Sequence, residues 1–208
     1  MKAETRVWDI FVRLFHWGLV IAFSVAYLSG EEESMLHIYS GYAVLGLISF
    51  RILWGFIGSR YARFSNFVHG TNRVNQYLKS LLTDHPEHYK GHNPAGGWMV
   101  IALLISLFVT TLSGLKLYAV EEGLGPFADS APQVQLISSA YADDHSKAGD
   151  DDEDFWEEFW EEIHEAAANF TLLLIFIHIA GVFVSSFVHK ENLLKAMISG
   201  NKKDKSNP

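Results

Sequence analysis

Four apolar blocks, each about 20 residues or longer, alternate with polar connections: Ile10 to Gly30, Leu36 to Ile57, Trp98 to Tyr118 and Ile163 to Val188. At about 1.5 Å per helical residue, each can cross a hydrocarbon core near 30 Å. The apolar residues are gathered into these blocks and not spread at the periodicity of a soluble domain. This pattern predicts an all-α integral membrane four-helix bundle, with residues 1–208 forming one membrane domain and spans at about 10–30, 36–57, 98–118 and 163–188. The first block is too long, and starts too near Met1, for a typical cleaved signal peptide, and it runs into Glu31, Glu32 and Glu33; it reads as a retained span.

The connections differ in character. Between blocks two and three, Gly58, Gly70, Pro86, Gly91 and Pro94 punctuate the chain, and TNRVNQYLKSLL reads as a short amphipathic helix on the membrane surface. The tail KENLLKAMISG reads similarly. Residues 119–162 form a long acidic segment whose middle includes DDDED, and FWEEFWEEIHE then places Phe155, Trp156, Phe159, Trp160 and Ile163 at helical spacing against glutamates. That turn is expected to extend the fourth helix at the headgroup level, where tryptophan belongs.

Charge orients the helices. Lys2 and Arg6 precede the first span; Arg60, Arg63, Arg73, Lys79 and Lys90 lie between the second and third; Lys190, Lys195, Lys202, Lys203 and Lys205 follow the fourth. Basic connections stay on the cytoplasmic side, so both termini are expected in the cytoplasm and residues 119–162 in the periplasm. The net charge of −8 comes largely from that acidic segment, where Lys147 is the only basic residue. Lipid is an expected partner and nucleic acid is not. The chain has no cysteine, which excludes disulfides, iron–sulfur clusters and covalent c-type haem attachment. Any metal or haem must use other ligands, and ten histidines are available.

An imidazole inside an apolar span is a functional candidate, against the plainer reading of a ring hydrogen-bonded to a neighbouring helix. His164 and His178 are fourteen residues apart, which in a helix is about 1400° of rotation and about 21 Å of rise, so both leave one face at two depths. His16 lies about 9 Å inside the first span, and His178 about 9 Å from the same surface; His37 and His164 both open their spans at the other. Two level pairs about 20 Å apart suit bis-histidine ligation of two b-type haems. A zinc site needs three or four converging ligands, and a proton relay explains the pairing less well. His189 competes weakly with His178. His69, His85, His88 and His92 are expected to be solvated or loop-structuring, and His145 beside Asp143 and Asp144 could bind a metal only weakly. Arg13 and Arg51, near the cytoplasmic ends of their spans, need anions; haem propionates and lipid phosphates are equal alternatives.

The stretch VWDIFVRLFHW, a second helix opened by His37 and ending in RILWGFIGSRYARFSNFV, the sequence GHNPAGGW, and the closing H-x13-H followed by FVHKENLLKAM resemble the prokaryotic cytochrome b561 family. Some of its relatives serve as membrane cytochrome b subunits of hydrogenases. The resemblance spans nearly the whole chain except the long acidic segment. It implies an inner-membrane protein with two non-covalent haems b, ligated by His16 and His178 at the cytoplasmic side and by His37 and His164 at the periplasmic side. It further implies electron exchange between quinone and a periplasmic redox protein, such as a c-type cytochrome or a hydrogenase. The alternative is an oxidoreductase acting on a small substrate, such as a superoxide:quinone oxidoreductase. The acidic loop and Glu31 to Glu33 would repel such an anion.

Overall fold

The structure, a computed structural model, describes residues 4–30, 34–83, 86–128 and 147–203, with only the backbone described for 147–153 and 203. Among these residues the elements are β1 (Glu4–Arg6), α1 (Ile10–Leu28), α2 (Met35–Ile57), a short 3-10 turn (Phe64–Asn66), α3 (Thr71–Ser80), α4 (Pro94–Glu121), α5 (Lys147–Val188), α6 (Leu193–Ser199) and β2 (Asn201–Lys203). The class is all-α, and α1, α2, α4 and residues Asp154–Val188 of α5 are each long and apolar enough to cross a membrane. Their surfaces agree with immersion in lipid. Leu28 is 82% and Phe187 87% exposed, which in water would leave large apolar side chains unburied.

Local chemistry sets the helix ends. The Asp9 carboxylate accepts from the Val12 amide at 2.9 Å and caps α1. Ser34 caps α2 by accepting from the amide of His37 at 3.4 Å. In GHNPAGGW, the Asn93 side-chain oxygen accepts from the Gly96 amide at 2.7 Å, while Pro94 takes the first helical position, where its missing N–H costs nothing. Helix α6 starts on Asn192 and stops at Gly200, whose φ of 86° is left-handed.

The third apolar helix is longer than its hydrophobic block, starting at Pro94 and ending at Glu121. The fourth is longer still, because its first turns are polar and no apolar pattern marks them. Residues 147–162, expected within the acidic segment, are already part of α5, which includes the FWEEFWEEIHE turn. Phe155, Trp156, Phe159 and Trp160 stack successively along it, with centroid separations of 5.3–6.3 Å. Residues 129–146 of the acidic segment, with Asp143, Asp144 and His145, lie outside the described residues, as do Glu31 to Glu33 and His85. Both short amphipathic readings correspond to helices, α3 and α6.

The chain divides into two compact units, residues 1–105 with 172–208, and residues 106–171. In the first, β1 and β2 pair antiparallel, Thr5 opposite Lys202, so the segments before α1 and after α6 lie together. Beside this ladder Val7, Trp8, Val12, Ala62 and Ala196 form a buried cluster against Trp54, Tyr61 and Met197. The Asp9 carboxylate also accepts from Trp54 Nε1 at 3.2 Å and from the Ser59 hydroxyl, tying the start of α1 to the end of α2. In the second unit, the fully buried Thr171 of α5 bonds Ser106 at 2.6 Å and Thr110 at 3.1 Å, both on α4. Such a hydroxyl knot lets two helices pair in a medium where unpaired polar groups are costly.

Candidate functional site

The four span histidines occupy three helices. His37 stands in the first turn of α2, with its Nδ1 2.9 Å from the carbonyl oxygen of Ala26 on α1. His164 lies in α5, with its Nδ1 2.9 Å from the Thr110 carbonyl oxygen and 3.2 Å from Ser113 Oγ. A carbonyl oxygen only accepts, so in both rings the hydrogen is on Nδ1 and the lone pair on Nε2. Hydrogen bonds of this kind fix the ring orientation and tautomer of metal-binding imidazoles in general. His164 is further located by Gly114, where a Cβ would stand 2.8 Å from the ring's Cε1.

His16 on α1 and His178 on α5 belong to the first unit and lie within electrostatic reach of one another. Both rings are half-buried, and the Nδ1 of His16 is buried without a hydrogen-bond partner. Arg51 is 2% exposed. Its Nη2 donates to the Ala62 carbonyl at 3.1 Å, its guanidinium sits 5.1 Å from the Phe64 centroid and 5.9 Å from that of Phe67, and Nη1 is buried without a partner. Arg13 donates from Nη1 to the Ser199 carbonyl at 3.2 Å and also has a buried, unpartnered Nε. Gly200 leaves room for it, since a Cβ there would meet Arg13 Nη1 at 2.9 Å.

Of the two expectations for His92, solvated or loop-structuring, the second fits: the residue is half-buried. Its ring packs edge-on to Trp8 at 4.6 Å and tilted on Phe67 at 4.6 Å, and its Nδ1 is buried without a partner. Burial, followed by the positive charge of Arg51, pushes its pKa down to about 3, so the ring is neutral at physiological pH. A loop histidine between glycine and asparagine gives no periodicity from which burial can be inferred. His189 is a neighbour of Tyr77, with its Nε2 3.3 Å from the Tyr77 hydroxyl, and His88 bonds Glu191 at 2.7 Å. Both take part in the packing of α3 and the residues after α5.

Four long apolar helices carrying inward polar groups define a multi-pass membrane protein. The family model for prokaryotic cytochrome b561 matches residues 7–200, and the chain belongs to that family of haem-containing membrane electron carriers. No curated protein and no solved structure matches it. The family implies haem b, and the residues fit that group. Two imidazoles have Nδ1 tied back to helix carbonyls, a third has an orphaned buried nitrogen, and a buried guanidinium has one nitrogen without a hydrogen-bond partner. Among the described residues no group of three or more His, Cys, Asp or Glu converges as a zinc site would require.

Proposed function

We propose that this chain is a di-haem b-type cytochrome of the inner membrane, passing electrons between the quinone pool and a periplasmic redox protein such as a c-type cytochrome or a hydrogenase. The observation that carries this reading is the fixed tautomer of His37 and His164: each ring gives its Nδ1 hydrogen to a helix carbonyl and keeps Nε2 as a ligand. His16 and His178 would hold the cytoplasmic-side haem iron and His37 and His164 the periplasmic-side one. Arg13 and Arg51 would face haem carboxylates. Haem, when bound, supplies a reversible one-electron couple.

The chain's own part is to ligate, space and insulate. The fourteen-residue step from His164 to His178 would separate the two ligand levels by about 20 Å. Apolar spans would exclude water, and the carbonyls that accept the Nδ1 hydrogens would raise ligand basicity and so favour the ferric state. The basic connections support an orientation with both termini in the cytoplasm. The acidic run after α4 would steer a positively charged partner.

The test is haem content. Purified membranes should show a reduced-minus-oxidised spectrum of low-spin b haem at two haems per chain. His16→Ala and His178→Ala should remove one and the same haem, and His37→Ala and His164→Ala the other. Grouping of His16 with His37 would refute the pairing, and a high-spin site with an open position would refute bis-histidine ligation.

A further inference from the structure

Arg51 and His92 present a different kind of vacancy from the ligand histidines. Arg51 is a cation buried to 2% exposure, and a buried charge needs a close, well-paired anion to offset the loss of water. Asp9 acts on it electrostatically, but the hydrogen bonds of that carboxylate are with Val12, Trp54 and Ser59. One guanidinium nitrogen is satisfied by Ala62 and another, Nη1, by nothing. His92, whose Nδ1 is also unpartnered, shares a neighbour and an electrostatic interaction with it: Phe67 takes the Arg51 guanidinium at 5.9 Å and the His92 ring at 4.6 Å, and the Arg51 charge acts on the imidazole. Trp8 fixes the imidazole from another side.

The level of these groups matters. Arg51 is six residues from the end of α2 at Ile57, and His16 is six residues from the start of α1 at Ile10. Both are therefore about 9 Å inside the same end of their helices. The arginine side chain then runs outward to Ala62, beyond the helix end, and His92 precedes α4 by two residues. Both groups thus belong to the end of the spans at which His16 lies. A neutral imidazole with hydrogen on Nδ1 and a guanidinium N–H together offer two donors and one positive charge. That combination matches a carboxylate.

We propose that Arg51 Nη1 and His92 Nδ1 form a two-pronged clamp for a propionate carboxylate of the haem held by His16 and His178. This rests on the haem reading above and extends it to GHNPAGGW: Asn93 and Pro94 start α4, and their neighbour His92 holds the cofactor's acidic edge. Arg13 also fastens the tail, donating from Nη1 to the Ser199 carbonyl. Removing a clamp donor leaves more negative charge uncompensated beside the iron, which favours the ferric form and lowers the midpoint potential of this haem alone.

The experiment is redox-difference infrared spectroscopy on the full haem-loaded protein, produced in cells fed 5-aminolevulinate with 13C at its carboxyl carbon. That carbon becomes the propionate carboxyl. In the wild type, carboxylate bands should move with the label, and in Arg51→Gln, which removes the charge, and His92→Phe, which removes the donor, they should shift in frequency. The cytoplasmic-side haem should fall in potential in both variants while the other haem is unchanged. Unshifted labelled bands with unchanged potentials overturn the clamp, and so does a response confined to unlabelled phosphate bands, which would assign the site to lipid or free phosphate. If a variant loses this haem, wild-type protein with 15N-labelled arginine decides the matter: the absence of any redox-linked guanidinium band overturns the clamp. Wild-type protein lacking the haem altogether would instead refute the haem reading beneath it.

Discussion

Gly114→Ala tests the cradle of His164 with the addition of one methyl group. The new carbon would stand 2.8 Å from the ring's Cε1, 3.1 Å from Nδ1 and 3.4 Å from Nε2, so the imidazole has to move. It is not at liberty to do so without loss, because Nδ1 is bonded to the Thr110 carbonyl and Ser113 Oγ. Overpacking of this kind costs roughly 1–3 kcal/mol, and a weakened hydrogen bond about 1 kcal/mol more. Alanine is worth about 1 kcal/mol over glycine within a helix, which offsets part of this. The net is about 1–3 kcal/mol against the ligating geometry, or about 5- to 150-fold weaker retention of one haem. Haem per chain, measured as the pyridine haemochrome, should fall from two towards one, with the remaining spectrum low-spin and still dependent on His16 and His178. Gly46→Ala is the control: it is an exposed α2 position with nothing within 4 Å of the added carbon. Full retention of both haems by Gly114→Ala, with unaltered potentials, would refute the placement of a ligand at His164.

Thr171→Val keeps the shape of a fully buried side chain but removes the hydroxyl bonded to Ser106 and Thr110. It should cost about 1–2 kcal/mol, read as a lower unfolding temperature in detergent, and an unchanged melt would make the knot dispensable. Asp9→Ala removes the α1 cap and should cost about 1 kcal/mol by the same measurement. Burial acts to raise the Asp9 pKa, but hydrogen bonds from Ser59, the Val12 amide and Trp54 more than offset it and hold it below the ordinary 3.8. The ionised form therefore stabilises the fold above that value and loses its effect as pH falls through the lowered one, so the difference between wild type and variant should shrink in acid. Deleting residues 143–154 should leave both haems bound and slow only transfer to a basic redox partner. Loss of that difference at high salt would support steering, and unchanged kinetics at low salt would remove it.

The spans were legible because lipid demands long uninterrupted apolar runs, and α1 and α2 match their blocks to within two residues. The aromatic spacing of FWEEFWEEIHE marked the extension of the fourth helix before its apolar block, but the polar turns ahead of Phe155 carry no such mark, and α5 begins at Lys147. Helix α4 likewise begins at a cap written in Asn93 and Pro94 and not in hydropathy. The candidate ligands stood out because imidazoles are rare in such runs. What orients them did not: Thr110, Ser113 and the Ala26 carbonyl act through tertiary contacts that sequence spacing does not encode. His92 was hidden for a related reason, since its burial comes from Trp8 and Phe67, eighty-four and twenty-five residues away in sequence.

The two-stranded ladder also imposes an order of events. Glu4–Arg6 precede every span in the chain, but their partners Asn201–Lys203 emerge only after every span has been made. One end of the first unit is consequently left unlatched throughout insertion, and Arg13 meets its Ser199 carbonyl only at the close. The tail is the latch, and it closes last.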